Sequence, residues 1–180
     1  MAESILILGA SSDIGCALLE QITGRYRRIY AHCLYGGERL NGMAAKHNLP
    51  LSLLRADLTD PAAIDRMIEG LREEQTVPDD IVYLPAGPFS YCQFKKLRLA
   101  RFQEGMAMTV YPAAQILQAF LPEMARRGSG HVVVMLSSVT IGTPPLYLAD
   151  YTTSKYALLG LVRSLAAEYE DKGLRISGIS

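Results

Sequence analysis

The sequence has few cysteines, no net charge and no long apolar run, and each scarcity excludes a class of protein. Eighteen basic residues balance eighteen acidic ones, which gives no electrostatic reason to expect nucleic acid or an anionic membrane as a partner. The three cysteines form no CxxC pair, and neither they nor the three histidines have metal-ligand spacing. We therefore expect reduced thiols and no metal site.

Apolar runs in this chain are too short for a membrane segment. None approaches the ~20 residues that a membrane-spanning helix needs. The N-terminal stretch "MAESILILGA" lacks basic residues, and its apolar run is too short and too early for a signal peptide. These features predict a cytoplasmic protein with no membrane partner.

Short apolar runs alternate with stretches of helical periodicity along the 180 residues, a length that suits a single domain over 1–180. Continuous apolar runs indicate strands buried on both faces, hence a parallel sheet covered by helices. The pattern predicts a Rossmann-like, doubly wound, three-layer α/β/α fold. The predicted strands are Ser4–Leu8, Arg28–Cys33, Leu51–Ala56, Asp80–Gly87 (running into a turn), Gly130–Ser138 and Leu174–Ser180. The longest predicted helices are Leu99–Arg127, bent or divided by Pro112 and Pro122, and Tyr151–Lys172.

The stretch "LGASSDIG" follows the first predicted strand, where ligands bind in an open parallel sheet. Gly9 allows a tight turn, and the next helix offers free backbone N–H groups to a phosphate. Ser11 and Ser12 can add hydroxyl hydrogen bonds, whereas Asp13 would repel a phosphate unless its side chain turned away. The alternative is a plain strand–turn–helix connection.

The stretch "DYTTSKYALLG" places Tyr151 and Lys155 four residues apart at the start of a predicted helix. Residues at this spacing share a helix face. A nearby cation favours the phenolate and lowers the pKa of a phenol, which is about 10 when free. The pair can therefore be a proton donor with a cation that tunes it, or only a solvated helix face.

Together these motifs resemble the short-chain dehydrogenase/reductase family, and the resemblance covers nearly the whole chain in register. "LGASSDIG" stands where the family has TGxxxGIG, "YLPAG" replaces NNAG, and "FQEGMAMTVYPAAQILQAFLPEM" resembles the fourth helix region. "VVVMLSS" matches the strand before the catalytic serine, and "YTTSK" matches YxxxK, with Ser138 thirteen residues before Tyr151. "RIYAHC" and "GERLNGMA" are similar to the 3-oxoacyl-acyl-carrier-protein reductase branch.

The resemblance implies an NAD(P)(H)-dependent oxidoreductase that interconverts a carbonyl and an alcohol by hydride transfer. Tyr151 would be the general acid or base, Lys155 would tune it and hold the nicotinamide ribose, and Ser138 would bind the substrate oxygen. Thr109 stands where the family has an asparagine that supports a water relay. The implied cofactor-binding residues are Gly9, Ser11, Ser12, Asp13, Ile14, Gly15, Cys33, Asp57, Leu58, Ala86, Gly87, Tyr151 and Lys155.

No acidic residue stands at the end of the second predicted strand, where Cys33 is near the deciding position. An acid there would favour NAD, so its absence favours NADP(H) over NAD(H). Arg39 could reach a 2′-phosphate, or it could be a solvated helix residue.

Three departures from the family pattern keep other functions open. Thr109 lacks the amide of asparagine, Leu84 and Pro85 replace the first two residues of NNAG, and the family's C-terminal lid and last strand are not matched. A non-catalytic nucleotide-binding or scaffolding homologue is one alternative. A nucleotide-sugar epimerase or dehydratase, which shares YxxxK, is another.

The resemblance also implies partners. The substrate would be a small carbonyl or alcohol, and the helices around 99–127 and 151–172 would pair in a homodimer or homotetramer. The alternative is that these helices only cover the sheet.

Overall fold

The computed structural model describes residues 2–87 and 89–180. Six strands form one sheet in which every pair of neighbours is parallel, with the order β3-β2-β1-β4-β5-β6. They are β1 (Ala2–Leu8), β2 (Tyr26–Cys33), β3 (Leu51–Arg55), β4 (Asp80–Tyr83), β5 (Gly130–Met135) and β6 (Leu174–Ile179). The predicted doubly wound parallel sheet is confirmed.

Six α-helices connect or follow these strands and cover both faces of the sheet. They are α1 (Asp13–Gln21), α2 (Gly37–His47), α3 (Pro61–Glu73), α4 (Leu99–Thr109), α5 (Tyr111–Arg127) and α6 (Ala149–Tyr169). On one face, α3, α5 and α6 contribute Ile64, Phe120 and Leu158 to one buried cluster. On the other face, Leu19 of α1 and Leu40 of α2 pack against β1 and β2. The three-layer arrangement explains why the strands read as continuous apolar runs.

The predicted helix over residues 99–127 is divided in two. α4 ends at Thr109 and α5 begins at Tyr111, with Pro112 in the first turn of α5. Proline is tolerated there because the first amides of a helix have no intrahelical partner. Pro122 lies inside α5 and does not end it.

Two strands, β4 and β5, end several residues earlier than the sequence suggested, whereas β3 and β6 end one residue earlier. β4 stops at Tyr83 rather than running on through Pro85, which has no N–H for the strand ladder. β5 stops at Met135, and a single 3₁₀ turn over Ser138–Thr140 follows it. The hydroxyl of Thr140 donates to the Ser137 carbonyl at 2.8 Å and folds the chain back.

The sheet brings the carboxyl ends of β1, β4 and β5 side by side at one edge. The strand order reverses between β1 and β4, which is where ligands bind in doubly wound folds. Among the residues that the structure describes, no helix has both the length and the apolarity to cross a membrane.

Candidate active site

The turn after β1 is closed by its own side chains. Gly9 has φ 76°, a conformation that favours glycine, and the Ser12 hydroxyl donates to its carbonyl at 2.8 Å. The same hydroxyl accepts from the Gly15 amide at 3.1 Å, so Ser12 is the N-cap of α1. Within residues 2–87 and 89–180, this leaves the amides of Asp13 and Ile14 at the first turn for an anionic ligand.

Gly15 is required by the close approach of α1 to this turn. A Cβ atom at that position would lie 2.4 Å from the Ala10 carbonyl oxygen. A side chain would push the first turn of α1 away from the strand end. The two glycines of the sequence motif therefore do different things: Gly9 turns the chain, and Gly15 lets the helix start directly above it.

Asp13 has turned away from the turn. Its side chain is 94% exposed and its carboxylate pairs with the Arg39 guanidinium of α2 at 2.8 Å. Arg39 also donates to the carbonyl of Ser11 at 3.1 Å. The negative charge expected near a phosphate is thus balanced by a cation beside the same turn.

The neighbouring strand ends supply the other candidate cofactor contacts. Cys33 is buried in the core cluster that contains Leu40, and burial raises the pKa of its thiol, so its side chain is a packing group there. Asp57 follows β3, and its carboxylate accepts from the Thr59 hydroxyl at 2.7 Å and the Thr59 amide at 2.8 Å. These bonds lower the pKa of Asp57. Leu58 is half-buried against the core.

The segment after β4 runs beside the glycine turn. Leu84 is buried, and its amide donates to the Leu8 carbonyl at 3.1 Å. A Cβ atom on Gly9 would lie 3.4 Å from the nitrogen of Pro85. Ala86 is exposed and Gly87 half-buried, so the replaced NNAG segment still reaches the edge where the cofactor candidates meet.

Lys155 lies entirely out of solvent, one helical turn beyond Tyr151 on α6. Its exposed fraction is 0%, and its Nζ donates to the Met135 carbonyl at the end of β5 at 3.1 Å. Burial lowers the pKa of Lys155 from 10.5 to about 8. Nζ lies 6.0 Å from the centre of the Tyr151 ring. The predicted pair therefore shares one helix face, with the cation held against the sheet.

Ser138 is exposed to solvent, whereas Thr109 is buried. Ser138 is exposed on the 3₁₀ turn that follows β5, against which α6 packs. Thr109 ends α4, is only 2% exposed, and accepts a hydrogen bond from the Tyr83 hydroxyl at its carbonyl, at 3.1 Å. Thr109 and Tyr151 both line one pocket.

That pocket has a volume of about 230 Å³ and lies between α4 and the start of α6. Its walls combine apolar groups with an ion pair that the sequence motifs did not indicate. The Phe89 ring lies 5.3 Å from the Tyr151 ring, centre to centre. Arg101 of α4 pairs at 3.0 Å with Asp150, whose side chain is almost fully buried, and also donates to the Ser90 hydroxyl.

The loop that leads into α6 contains a strained residue. Tyr147 has φ 67°, which is unusual for a bulky side chain, and its carbonyl accepts from the Cys92 amide at 2.9 Å. This bond ties the segment after β4 to the segment just before Tyr151. No pattern in the sequence pointed to Tyr147, because a positive φ depends on the path of the whole loop.

Within residues 2–87 and 89–180, no group of three or more histidine, cysteine or acidic side chains could hold a metal ion. The geometry instead combines an anion-binding turn, a buried lysine and a pocket beside a tyrosine. Such a combination suits proton transfer next to a phosphate-bearing organic cofactor.

Comparison with known proteins identifies the family. The model of the short chain dehydrogenase family matches residues 3–180. An NADPH-dependent pterin aldehyde reductase from Arabidopsis thaliana is 27% identical over 169 residues, which are 93% of this chain and 69% of that protein. An uncharacterized oxidoreductase from Staphylococcus epidermidis is 28% identical over 177 residues, which are 97% of this chain and 75% of that protein.

Solved structures share the fold. L-sorbose reductase from Gluconobacter frateurii, complexed with NADPH and L-sorbose, has a TM-score of 0.89 at 22% identity, covering 99% of this chain and 68% of that one. Levodione reductase has a TM-score of 0.91 at 21% identity, covering 99% and 70%. Because the family model spans almost every residue, the chain belongs to the short-chain dehydrogenase family and is an NAD(P)-dependent oxidoreductase.

Proposed function

We propose that this enzyme reduces a small carbonyl compound with Tyr151 as the proton donor. The observation that carries the proposal is the complete burial of Lys155 one turn from Tyr151, beside the pocket that Tyr151 lines. Below a pH of about 8 this lysine is a cation, and its charge favours the phenolate that remains after Tyr151 gives up its proton. Ser138 binds the substrate oxygen and stabilises the charge that develops there.

The residues around the glycine turn fit a dinucleotide. Gly9 turns the chain and Gly15 lets α1 start directly above the turn, so that the amides of Asp13 and Ile14 face the pyrophosphate. Bound there, the nicotinamide supplies the hydride. Asp57, Leu58, Ala86 and Gly87 line the neighbouring strand ends and hold the rest of the cofactor. Cys33 contributes through its backbone, since its side chain belongs to the core.

We assign NADP(H) as the preferred cofactor. Arg39 lies beside the turn, within 3.1 Å of the Ser11 carbonyl, and its planar guanidinium suits a phosphate. No acidic side chain follows β2 to bind an unmodified ribose, since Cys33, Leu34 and Tyr35 occupy that end. The Arabidopsis relative is an NADPH-dependent reductase, which supports the same preference.

Thr109 takes part as a positioning residue in this proposal. It lines the Tyr151 pocket, and the family resemblance implies a proton relay at this position. A threonine hydroxyl can pass a hydrogen bond to water in that place. The 3-oxoacyl-acyl-carrier-protein reductase branch, the single-domain organisation and the cytoplasmic location stay predictions.

The test is turnover of a panel of aldehydes and ketones with NADPH. We expect Tyr151→Phe to lower kcat by at least about 100-fold, because the proton donor is removed. Its Kd for NADPH should stay within about threefold of the wild type, because the phenyl ring remains. Tyr156→Phe, in which an exposed tyrosine of the same helix is changed, is the matched control and should keep full activity. Undiminished turnover by Tyr151→Phe would contradict the proposal.

A further inference from the structure

His32 is a buried residue of β2 that no step of the proposed mechanism uses. Only 3% of it is exposed, and both of its ring nitrogens make hydrogen bonds. Nδ1 accepts from the Gly9 amide at 3.2 Å, and Nε2 lies 3.0 Å from the Ala56 carbonyl oxygen. The His32 carbonyl also accepts from the Ala10 amide at 2.8 Å.

These partners fix the state of the ring. A backbone N–H can only donate, so Nδ1 must present a lone pair to the N–H of Gly9. A carbonyl can only accept, so Nε2 must carry the hydrogen that points to Ala56. The arrangement is therefore satisfied by the neutral imidazole with its proton on Nε2, and a second proton on Nδ1 would point at the Gly9 N–H.

The ring joins two parts of the candidate cofactor site. Gly9 begins the turn that faces the pyrophosphate, and Ala56 immediately precedes Asp57 at the end of β3. Because β2 lies between β1 and β3, the His32 ring can contact the residues that follow both of these strands.

We propose that His32 is a positioning residue for the cofactor: its neutral ring holds the glycine turn in register with the end of β3, and its protonation releases the turn and weakens cofactor binding. The inference rests on the cofactor site proposed above. It adds that this site senses pH through a group that touches neither the cofactor nor the substrate.

Nearby ionisable groups are engaged elsewhere and do not offset a charge on the ring. Asp57 is bound by Thr59, and Asp13 and Arg39 pair with each other beyond the turn. Three further ionisable groups on the strands beside the ring also have other partners. Tyr30 is hydrogen-bonded to Glu74 and Thr76, and Cys33 packs in the opposite core cluster. The Arg55 guanidinium lies against Gly37, where an added Cβ atom would be 2.6 Å from it. Burial lowers the pKa of His32, so the neutral form is held at neutral pH and the loss begins below the ordinary value of 6.5.

The experiment measures the Kd for NADPH by calorimetry from about pH 7.5 to about pH 5, with folding monitored at each pH. In the wild type, Kd should rise as the pH falls, by at most about tenfold per pH unit below the His32 pKa. His32→Asn keeps an acceptor near the position of Nδ1 but does not titrate, so it should bind like the wild type at about pH 7.5 and show a flatter pH profile.

Two further variants complete the test. His32→Leu leaves the Gly9 amide unpaired and should weaken NADPH binding by about tenfold at every pH. His131→Asn, which removes a histidine at the opposite end of the sheet, should keep the wild-type profile, and titration of NADPH itself is common to all variants.

Parallel pH profiles for the wild type and His32→Asn, or normal binding by a folded His32→Leu, would overturn the role of His32 alone. No NADPH binding by the folded wild type at about pH 7.5 would overturn the cofactor site and the inference together.

Discussion

Arg39 and Asp13 form an ion pair beside the glycine turn. Each residue therefore changes how the other would affect the binding of a phosphate. The guanidinium balances the charge of an acid beside the turn, and it is also the cation that we propose for binding a 2′-phosphate. Single substitutions cannot separate these two roles, because removing Arg39 also leaves the Asp13 charge unpaired.

We expect Arg39→Gln to raise the Kd for NADPH by about tenfold or more, through loss of a charge-assisted hydrogen bond to the 2′-phosphate. The double variant Asp13→Asn, Arg39→Gln removes the unpaired acid. If Arg39 binds the 2′-phosphate, the double variant still loses its preference for NADPH over NADH. If Arg39 only neutralises Asp13, the double variant binds both cofactors like the wild type. Lys46→Gln, at the other end of α2, is the charge-matched control.

Burial of the charged Lys155 lowers the stability of the folded protein, and this loss can be measured. The unfolded chain holds this proton up to a pH of about 10.5 and the folded protein only to about 8, so stability rises as the pH increases from 8 to 10.5. Lys155→Met removes the buried cation and should raise the free energy of unfolding at neutral pH by about 3 kcal/mol, while abolishing turnover.

Denaturant unfolding at about pH 7 and about pH 10 checks this prediction. The advantage of Lys155→Met over the wild type should shrink as the pH rises. A constant difference at both pH values would show that packing, and not the lysine proton, separates the two proteins.

At the scale of elements, the start of α1 depends on a contact between backbone atoms. We expect Gly15→Ala to destabilise the protein by about 1–3 kcal/mol and to weaken NADPH binding, because its Cβ would lie 2.4 Å from the Ala10 carbonyl oxygen. Gly70→Ala, inside α3 with open space around its Cβ, is the matched control. It should instead stabilise the protein by about 0.5–1 kcal/mol, as alanine usually does in a helix.

Unfolding midpoints and cofactor titrations of both alanine variants provide the measurement. Equal effects of the two substitutions would mean that the first turn of α1 adapts without cost. The site would then not depend on the close approach of helix and turn.

In the molecule as a whole, the helices α4, α5 and α6 expose several large apolar side chains to solvent. Leu99, Tyr111 and Tyr156 are examples, with 73%, 59% and 44% of their surface exposed. A second copy of the chain is the partner that we propose for these helices, as a homodimer or homotetramer.

The combined variant Leu99→Glu, Tyr156→Glu should therefore shift the protein to monomers, because it buries charge in an apolar contact. Light scattering after size-exclusion chromatography measures the mass. Ala17→Glu, on the exposed face of α1, is the control and should leave the mass of the assembly unchanged. A monomeric wild type would contradict the proposal.

Local patterns in the sequence determined where strands and helices form and which close neighbours share a helix face. Continuous apolar runs predicted parallel strands buried on both faces. The start of α3 is set just as locally, since the Asp60 carboxylate accepts from the Ala62 amide and Pro61 occupies the first turn. The spacing of Tyr151 and Lys155 predicted one helix face. These features were readable because strand burial, helix capping and the helical repeat act over only a few residues.

The tertiary structure alone decided which distant residues meet at the site. The His32 bridge exists because β2 lies between β1 and β3, and the Arg39–Asp13 and Arg101–Asp150 pairs depend on how helices lie against one another. The burial of Lys155 likewise follows from the packing of α6 on β6, which brings the lysine to the end of β5. Long-range contacts of this kind leave no periodic trace in the sequence, because they arise from chain topology and side-chain packing and not from local preference.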